Sequence, residues 1–348
     1  MRPRPATNRP LAVLGLVLAI GCGARPASAP SGAPTSRAWS AFETGTTESF
    51  RGLALPAPGV IWASGTHGTW ARSVDGGAHV EVGVVPGAET LDFRSLHAWS
   101  AERAIVLSAG DPGRAFVTDD GGAHWTETLT RSGEGVFFDS LAFDGEEGLA
   151  LGDPLPSAEG PRFVVLRTHD GGRTWQDQAG PIAEPGEAAF AASNACIAAL
   201  GEGRWRFATG GAAPRIFATD DDGAHWQSTG VALPGSASAG IFAIALEDAH
   251  VGYAIGGDYA APTASGSFAR THDGGAHWEI GAPPPGYRSS IAIDGDRLVA
   301  VGTSGSDLST DEGAHWQPID DRALNVVRAA DGVVIAAGPD GTIARLVP

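Results

Sequence analysis

Short apolar runs of Val, Ile, Phe and Ala alternate with tight clusters of Gly, Pro and Asp from Ser49 to Leu346, which is the pattern of strands joined by turns. No stretch carries the sustained 3.6-residue apolar period of a long amphipathic helix. One of the turns is spelled six times: SVDGGAHV (Ser73 to Val80), TDDGGAHW (Thr118 to Trp125), THDGGRTW (Thr168 to Trp175), TDDDGAHW (Thr219 to Trp226), THDGGAHW (Thr271 to Trp278) and STDEGAHW (Ser309 to Trp316). Their central aspartates, Asp75, Asp120, Asp170, Asp221, Asp273 and Asp311, lie 45, 50, 51, 52 and 38 residues apart. A period of roughly 40 to 50 residues suits a four-stranded propeller blade.

The local chemistry of the phrase is that of a hairpin turn. The Asp carboxylate and the Ser or Thr hydroxyl two positions earlier can accept hydrogen bonds from the turn's own amides. The Gly two positions after the Asp supplies a backbone conformation that other residues adopt only under strain. The Trp that follows starts the outgoing strand, and its ring is large enough to wedge between blades.

If each phrase joins the third and fourth strands of a blade, the remaining strands follow by reading backwards. In the first blade they are Ser49 to Leu55, Val60 to Ser64, Thr69 to Ser73 and His79 to Val84. Later first strands fall near Asp92 to Ala98, Phe137 to Phe143, Ala188 to Ser193, Gly240 to Leu246, Tyr287 to Ile293 and Leu324 to Ala329. The expected fold is therefore all-β, a seven-bladed propeller of four-stranded antiparallel blades. The last blade has only three strands before the chain ends. The segment Ala38-Trp39-Ser40-Ala41-Phe42 carries a Trp where the other outgoing strands have theirs, so it is expected to close the ring as the missing fourth strand. An unpaired edge there would invite aggregation.

Fifty glycines and 24 prolines agree with a fold of many turns. A propeller grows by adding blades, so residues 37–348 are read as one domain. Ahead of it, Arg2, Arg4 and Arg9 precede the apolar run Leu11 to Ile20, too short to span a bilayer and proportioned as a signal-peptide core. Two processing routes stand open. Leu18-Ala19-Ile20-Gly21-Cys22 resembles a bacterial lipobox with lipidation at Cys22, ending the signal at residue 21, whereas Ala27-Ser28-Ala29 resembles an ordinary cleavage site near residue 29. Residues 22–36 are rich in Ala, Pro, Ser and Gly, the composition of a tether. The expectation is an exported protein, periplasmic or anchored in the outer membrane as a lipoprotein. Cys22 and Cys196 are the only cysteines, so no disulfide framework exists.

All 23 basic residues are Arg, against 40 acids. Loss of the three in the signal segment leaves a net charge of -20, which repels nucleic acid and anionic lipid surfaces and leaves a lipid anchor as the only membrane contact. The recurring His79, His124, His225, His277 and His315 sit on different blades, which argues for a turn role; neither metal nor cofactor is expected.

Strand order puts the six turns on one face of the ring and the strand entries and second-to-third-strand loops on the other. Aligning the starts of the innermost strands yields one register: Arg51, Arg94, Asp139, Phe190, Phe242, Arg288 and Val326. Guanidinium forks suit carboxylate or phosphate groups, and rings offer apolar walls. Equally, Asp139 pairing with an Arg would merely stabilise the ring. The loops that begin at Asp153 and Asp258, the latter with Tyr259, are longer than turns require and add Asp153, Asp258 and Tyr259 to the candidate rim.

The six phrases resemble the Asp-box, or BNR-repeat, β-propellers, whose pattern Ser/Thr-x-Asp-x-Gly-x-x-Trp they match apart from Val80. Within that group the arrangement is similar to the photosystem II stability and assembly factor type, through SFRGLAL, WASGTHGTWARS, LDFRSLHA, GGDY and GYRSSIA between Trp39 and Leu346. The resemblance implies a non-catalytic, monomeric scaffold outside the cytoplasm that holds a membrane or envelope protein during assembly, here through Arg51, Arg94 and Arg288. The rival reading is a sialidase-like or other glycoside hydrolase using the three arginines with Asp139 and Asp153. Against it, no Tyr-Glu pair of the sialidase kind is apparent, and the Arg-Ile-Pro signature is missing.

Overall fold

The computed structural model describes residues 38–347; the signal segment, Cys22, the tether and Arg37 lie outside the described residues. Seven antiparallel sheets follow one another along the chain as the blades of a propeller, and among the described residues every named element is a strand. Blade one runs Phe50–Ala57, Val60–Gly65, Thr69–Ser73 and Glu81–Val84 from the innermost strand outwards. The other innermost strands are Asp92–Ala98, Phe138–Asp144, Ile197–Gly201, Ala239–Leu246, Ser290–Asp294 and Val326–Ala330.

The seventh blade is completed from the start of the chain. Ala38–Ala41 pairs antiparallel with Ile343–Val347, placing Trp39 opposite Leu346. The Trp39 ring is buried and its Nε1 donates to Ser306 Oγ of blade six at 2.9 Å.

Each box is a self-satisfied turn. In the first, Ser73 Oγ donates to Asp75 Oδ1 (2.9 Å) and accepts from Gly77 N (2.9 Å), while Asp75 Oδ1 accepts from His79 N (2.9 Å) and Oδ2 meets His79 Nδ1 (2.6 Å). These contacts hold the carboxyl down to about 2. The same set recurs at Asp120, Asp221, Asp273 and Asp311, and in the third box Thr174 Oγ1 takes the histidine's place on Asp170 Oδ2 at 2.6 Å. Gly77 has φ +92°, and a Cβ there would lie 2.5 Å from Phe42 Cζ, so both torsion and space demand glycine. The recurring histidines thus belong to the turns.

The core lies between blades. Trp125 of blade two sits 6.4 Å from Trp62 and 6.3 Å from Trp70 of blade one, and Trp316 of blade six sits 5.3 Å from Phe268 of blade five. Phe50, Phe93 and Phe138 are buried at the starts of the first three innermost strands, a burial that stabilises by roughly 1.5–3 kcal/mol each. Hydrogen bonds also stitch adjacent blades around the channel: Ser64 Oγ to Phe93 O (3.1 Å), Ser95 Oγ to Asp139 O (3.3 Å), Ser289 Oγ to Asn325 O (2.7 Å) and Asn325 Nδ2 to Phe50 O (2.9 Å).

Blade four departs from the expected layout. Its innermost strand is Ile197–Gly201 and not Ala188 to Ser193. Residues 189–196 belong to no strand; they run across the channel, and their backbone is bonded to side chains of several blades. Alanine-rich sequence has little strand preference to resist this, and Asn194 adopts φ +51°, a torsion asparagine tolerates better than most residues.

Candidate functional site

A repeated β-bulge builds the channel mouth. In blades one, two, three and five the pairing of the two innermost strands slips by one residue, between Phe50 and Gly52, Phe93 and Ser95, Phe138 and Ser140, and Ile241 and Ala243. The skipped residues are Arg51, Arg94, Asp139 and Phe242. A bulge leaves its extra residue out of the ladder and re-aims its side chain. The apolar residue before each bulge is buried, and the residue after it is small because the next blade is close. A Cβ on Gly52 would lie 2.3 Å from Ser64 Oγ and 2.8 Å from Leu96 Cβ.

The crossing segment meets these side chains. Arg51 Nη1 donates to Ala192 O (3.1 Å) and Arg94 Nη1 to Ala191 O (3.4 Å), while Arg94 Nε also holds Asp92 Oδ2 at 2.7 Å. Arg51 has no carboxylate partner among the described residues; burial, then its neighbour Arg94, pull its pKa down. Phe190 stacks on Phe242 with centroids 4.1 Å apart and planes 3° from parallel. Tyr259, 52% exposed, stands edge-on to both rings at 6.2 Å, and Tyr287 meets Phe242 at 4.8 Å. The mouth therefore offers two guanidinium groups beside an aromatic corner.

The remaining candidates go elsewhere. Arg288 precedes the strand Ser290–Asp294, which has no bulge, and its side chain turns into blade six. There its Nε donates to Asp307 Oδ2 (2.6 Å) and its Nη1 to Ser304 Oγ (2.9 Å) and Tyr287 O (2.8 Å). It is 3% exposed and its charge is neutralised, so it does not join Arg51 and Arg94. Val326 is core. Asp258 Oδ1 accepts from Ala260 N (2.9 Å), which shapes the loop carrying Tyr259. Asp153 Oδ1 accepts from Ala189 N (3.1 Å) at the start of the crossing segment, and burial pushes its carboxyl up to about 6.

Asp139 is the anomaly. It has no exposed surface, and neither carboxylate oxygen has a hydrogen-bond partner, so it pairs with no arginine. Burial, reinforced by Asp153 and only partly offset by Arg94, drives its pKa well above the ordinary 3.8. The folded chain thus keeps a proton that the unfolded chain releases above that value, and the stability this contributes is lost as pH rises. Asp139→Asn should therefore melt higher than the native protein at pH 7.5, with a gain that shrinks by up to about 1.4 kcal/mol per pH unit on acidification toward pH 4. Melting curves of both proteins across that range check it; a pH-independent difference contradicts it.

Neither the crossing segment nor its contacts were expected from the sequence. Asn194, buried, anchors the segment: its Oδ1 accepts from Ser140 Oγ and Leu141 N, both at 2.9 Å, and its Nδ2 donates to Leu96 O at 2.8 Å. The only signal was Ser-Asn interrupting an alanine-rich run. Among the described residues no group of three or more His, Cys, Asp or Glu is arranged to hold a metal ion.

The family model described as photosynthesis system II assembly factor YCF48 matches residues 102–238, from the second blade into the link between the fourth and fifth. Photosystem II assembly lipoprotein Ycf48 of Synechococcus sp. (strain CC9902) is 28% identical over 156 residues, which span 42% of this chain and 42% of that protein. Among solved structures, YCF48 from Cyanidioschyzon merolae superposes with a TM-score of 0.65 at 15% identity, over 89% of this chain and 99% of that one. A YCF48 bound to D1 peptide gives 0.60 at 16% identity, over 89% and 97%.

Proposed function

We propose, from a chain that is a photosystem II assembly factor-like propeller in sequence and in fold, that it is an exported, non-catalytic scaffold holding a segment of a membrane or envelope protein. The binding site is the channel mouth. Arg51 and Arg94 take a carboxylate of the partner, and the corner of Phe190, Phe242 and Tyr259 takes an adjacent apolar side chain. The observation that carries this reading is Arg51: a guanidinium beside a second one, hydrogen-bonded only to a backbone carbonyl, while the nearby acid, Asp92, is bonded to Arg94. An incoming carboxylate relieves that repulsion and gains charge-assisted hydrogen bonds. That a related YCF48 has been solved with a D1 peptide supports a peptide segment as the ligand. Lipidation at Cys22, in keeping with the relative named a lipoprotein, would tether the ring to the envelope where such partners are assembled. Of the carboxylates that a hydrolase would need, Asp153 is bonded to the start of the crossing segment and Asp139 has no exposed surface.

The test compares the native protein with Arg51→Ala/Arg94→Ala in recovery of partners from envelope extract, followed by titration with the captured partner. Affinity should fall roughly tenfold to a hundredfold, about 1.5–3 kcal/mol, and native binding should weaken as salt is raised. Equal recovery of every partner by both proteins would remove the arginine mouth as the site.

A further inference from the structure

The far side of the crossing segment holds a recess that the partner site does not use. It measures about 350 Å³, at the lower end of the range typical for small-molecule sites. Its walls come from the innermost strands of blades one to four and of blade seven; Leu55, Ala142 and Ile197 are among its apolar residues, and the surface it opens is about as polar as it is apolar. Three polar side chains line it: Asn194, His97 and Arg328.

Two of the three carry no charge. Asn194 spends its amide on Ser140, Leu141 and Leu96. His97 is packed between Trp99 and Phe143, at 4.6 and 4.9 Å, and burial, with Arg103 nearby, holds its pKa down to about 4, so the ring is neutral at neutral pH. Arg328 is the third. Its Nη2 donates to Asn194 O (2.7 Å) and Ser193 O (3.3 Å), and its Nη1 to Val327 O (2.9 Å). Those bonds clamp the crossing segment, but every acceptor is neutral. Among the described residues no carboxylate pairs with Arg328, and no Asp or Glu lines the recess. Burial without a counter-charge pulls its pKa down to about 10.

A half-buried cation among leucine and alanine side chains, with no acid lining the recess, is a site for an anion that brings its own hydrocarbon. We propose that the recess binds a small monocarboxylate with an apolar tail, its carboxylate on Arg328 and its tail along the leucine and alanine walls. A compact hydrophilic anion such as phosphate would leave those walls wet, and a neutral chain would leave the guanidinium uncompensated.

Calorimetric titration of the propeller with octanoate, octan-1-ol and inorganic phosphate tests this. Octanoate should bind, octan-1-ol roughly tenfold or more weakly, and phosphate not measurably. Arg328→Met should weaken octanoate by a similar factor. Because that change also loosens the clamp, Ala142→Phe is the companion: it fills the recess, leaves Arg328 and its carbonyls in place, and should abolish octanoate binding while the protein still binds its partner at the arginine mouth. No octanoate binding at millimolar concentration, equal binding of octanol, or undiminished binding by Ala142→Phe would each overturn the proposal.

Discussion

Trp39→Ala should lower the thermal midpoint by about 5–8 °C, the equivalent of roughly 3–5 kcal/mol. Trp39 is a single residue in a four-residue strand, yet it does three things at once. Its ring is 4% exposed and packs with Val299, Leu308, Val327 and Val334, so truncation opens a cavity between blades six and seven. Its Nε1 supports Ser306 across the blade boundary. Its backbone belongs to the strand that covers Ile343–Val347, the edge that would otherwise be unpaired. Deleting the segment through Thr44 should cost more, because it also removes Phe42, which sits against Gly77 and 6.0 Å from the Arg345 guanidinium. Trp39→Phe separates the contributions: it keeps most of the packing and should cost only about 1 kcal/mol. Calorimetric melts of the three variants decide the matter, and a midpoint unchanged by Trp39→Ala would mean that the ring does not depend on its closure.

This closure was legible because it rests on counting. Six recurring turns set the blade period, the last blade came up one strand short, and a spare Trp stood before the first. Each box needs only its own residues: Ser73, Asp75 and Gly77 satisfy one another within five positions, so sequence proximity is spatial proximity. The channel mouth is different in kind. Arg51, Arg94 and Asp139 were legible because Phe50, Phe93 and Phe138 precede them at the starts of three successive innermost strands, so that one alignment puts all three in register. Arg288 follows an aromatic too, but its segment is not bulged, and the nearest acid, Asp307, lies on another strand of its own blade. Nothing local to Gly286-Tyr287-Arg288 reports that acid. Likewise Ala188 to Ser193 alternates no better as strand than as coil, and what fixes it across the channel are donors from other blades: Arg51, Arg94 and Arg328, up to 141 residues away. Long-range capture of a weakly biased segment leaves no periodic trace.

The same long-range capture makes Asn194 the side chain on which the crossing segment depends. Asn194→Ala removes three hydrogen bonds at once and leaves the Leu141 amide buried without its acceptor. It also forces alanine to hold φ +51°, which costs about 1–2 kcal/mol by itself. The expected loss is about 3–5 kcal/mol, seen as a midpoint lower by roughly 5–8 °C. Asn194→Gly keeps the torsion open while losing the bonds, so it should recover about 1 kcal/mol of that. Stability is only half of the consequence. Arg51 and Arg94 are aimed by Ala192 O and Ala191 O, two carbonyls that stay in place only while the segment crosses the channel. Both variants should therefore weaken partner binding at temperatures well below their midpoints, although neither touches an arginine. Native affinity in a folded Asn194→Gly protein would mean that the arginines hold their geometry without the segment, and the segment would then be a stopper in the channel with no part in shaping the site.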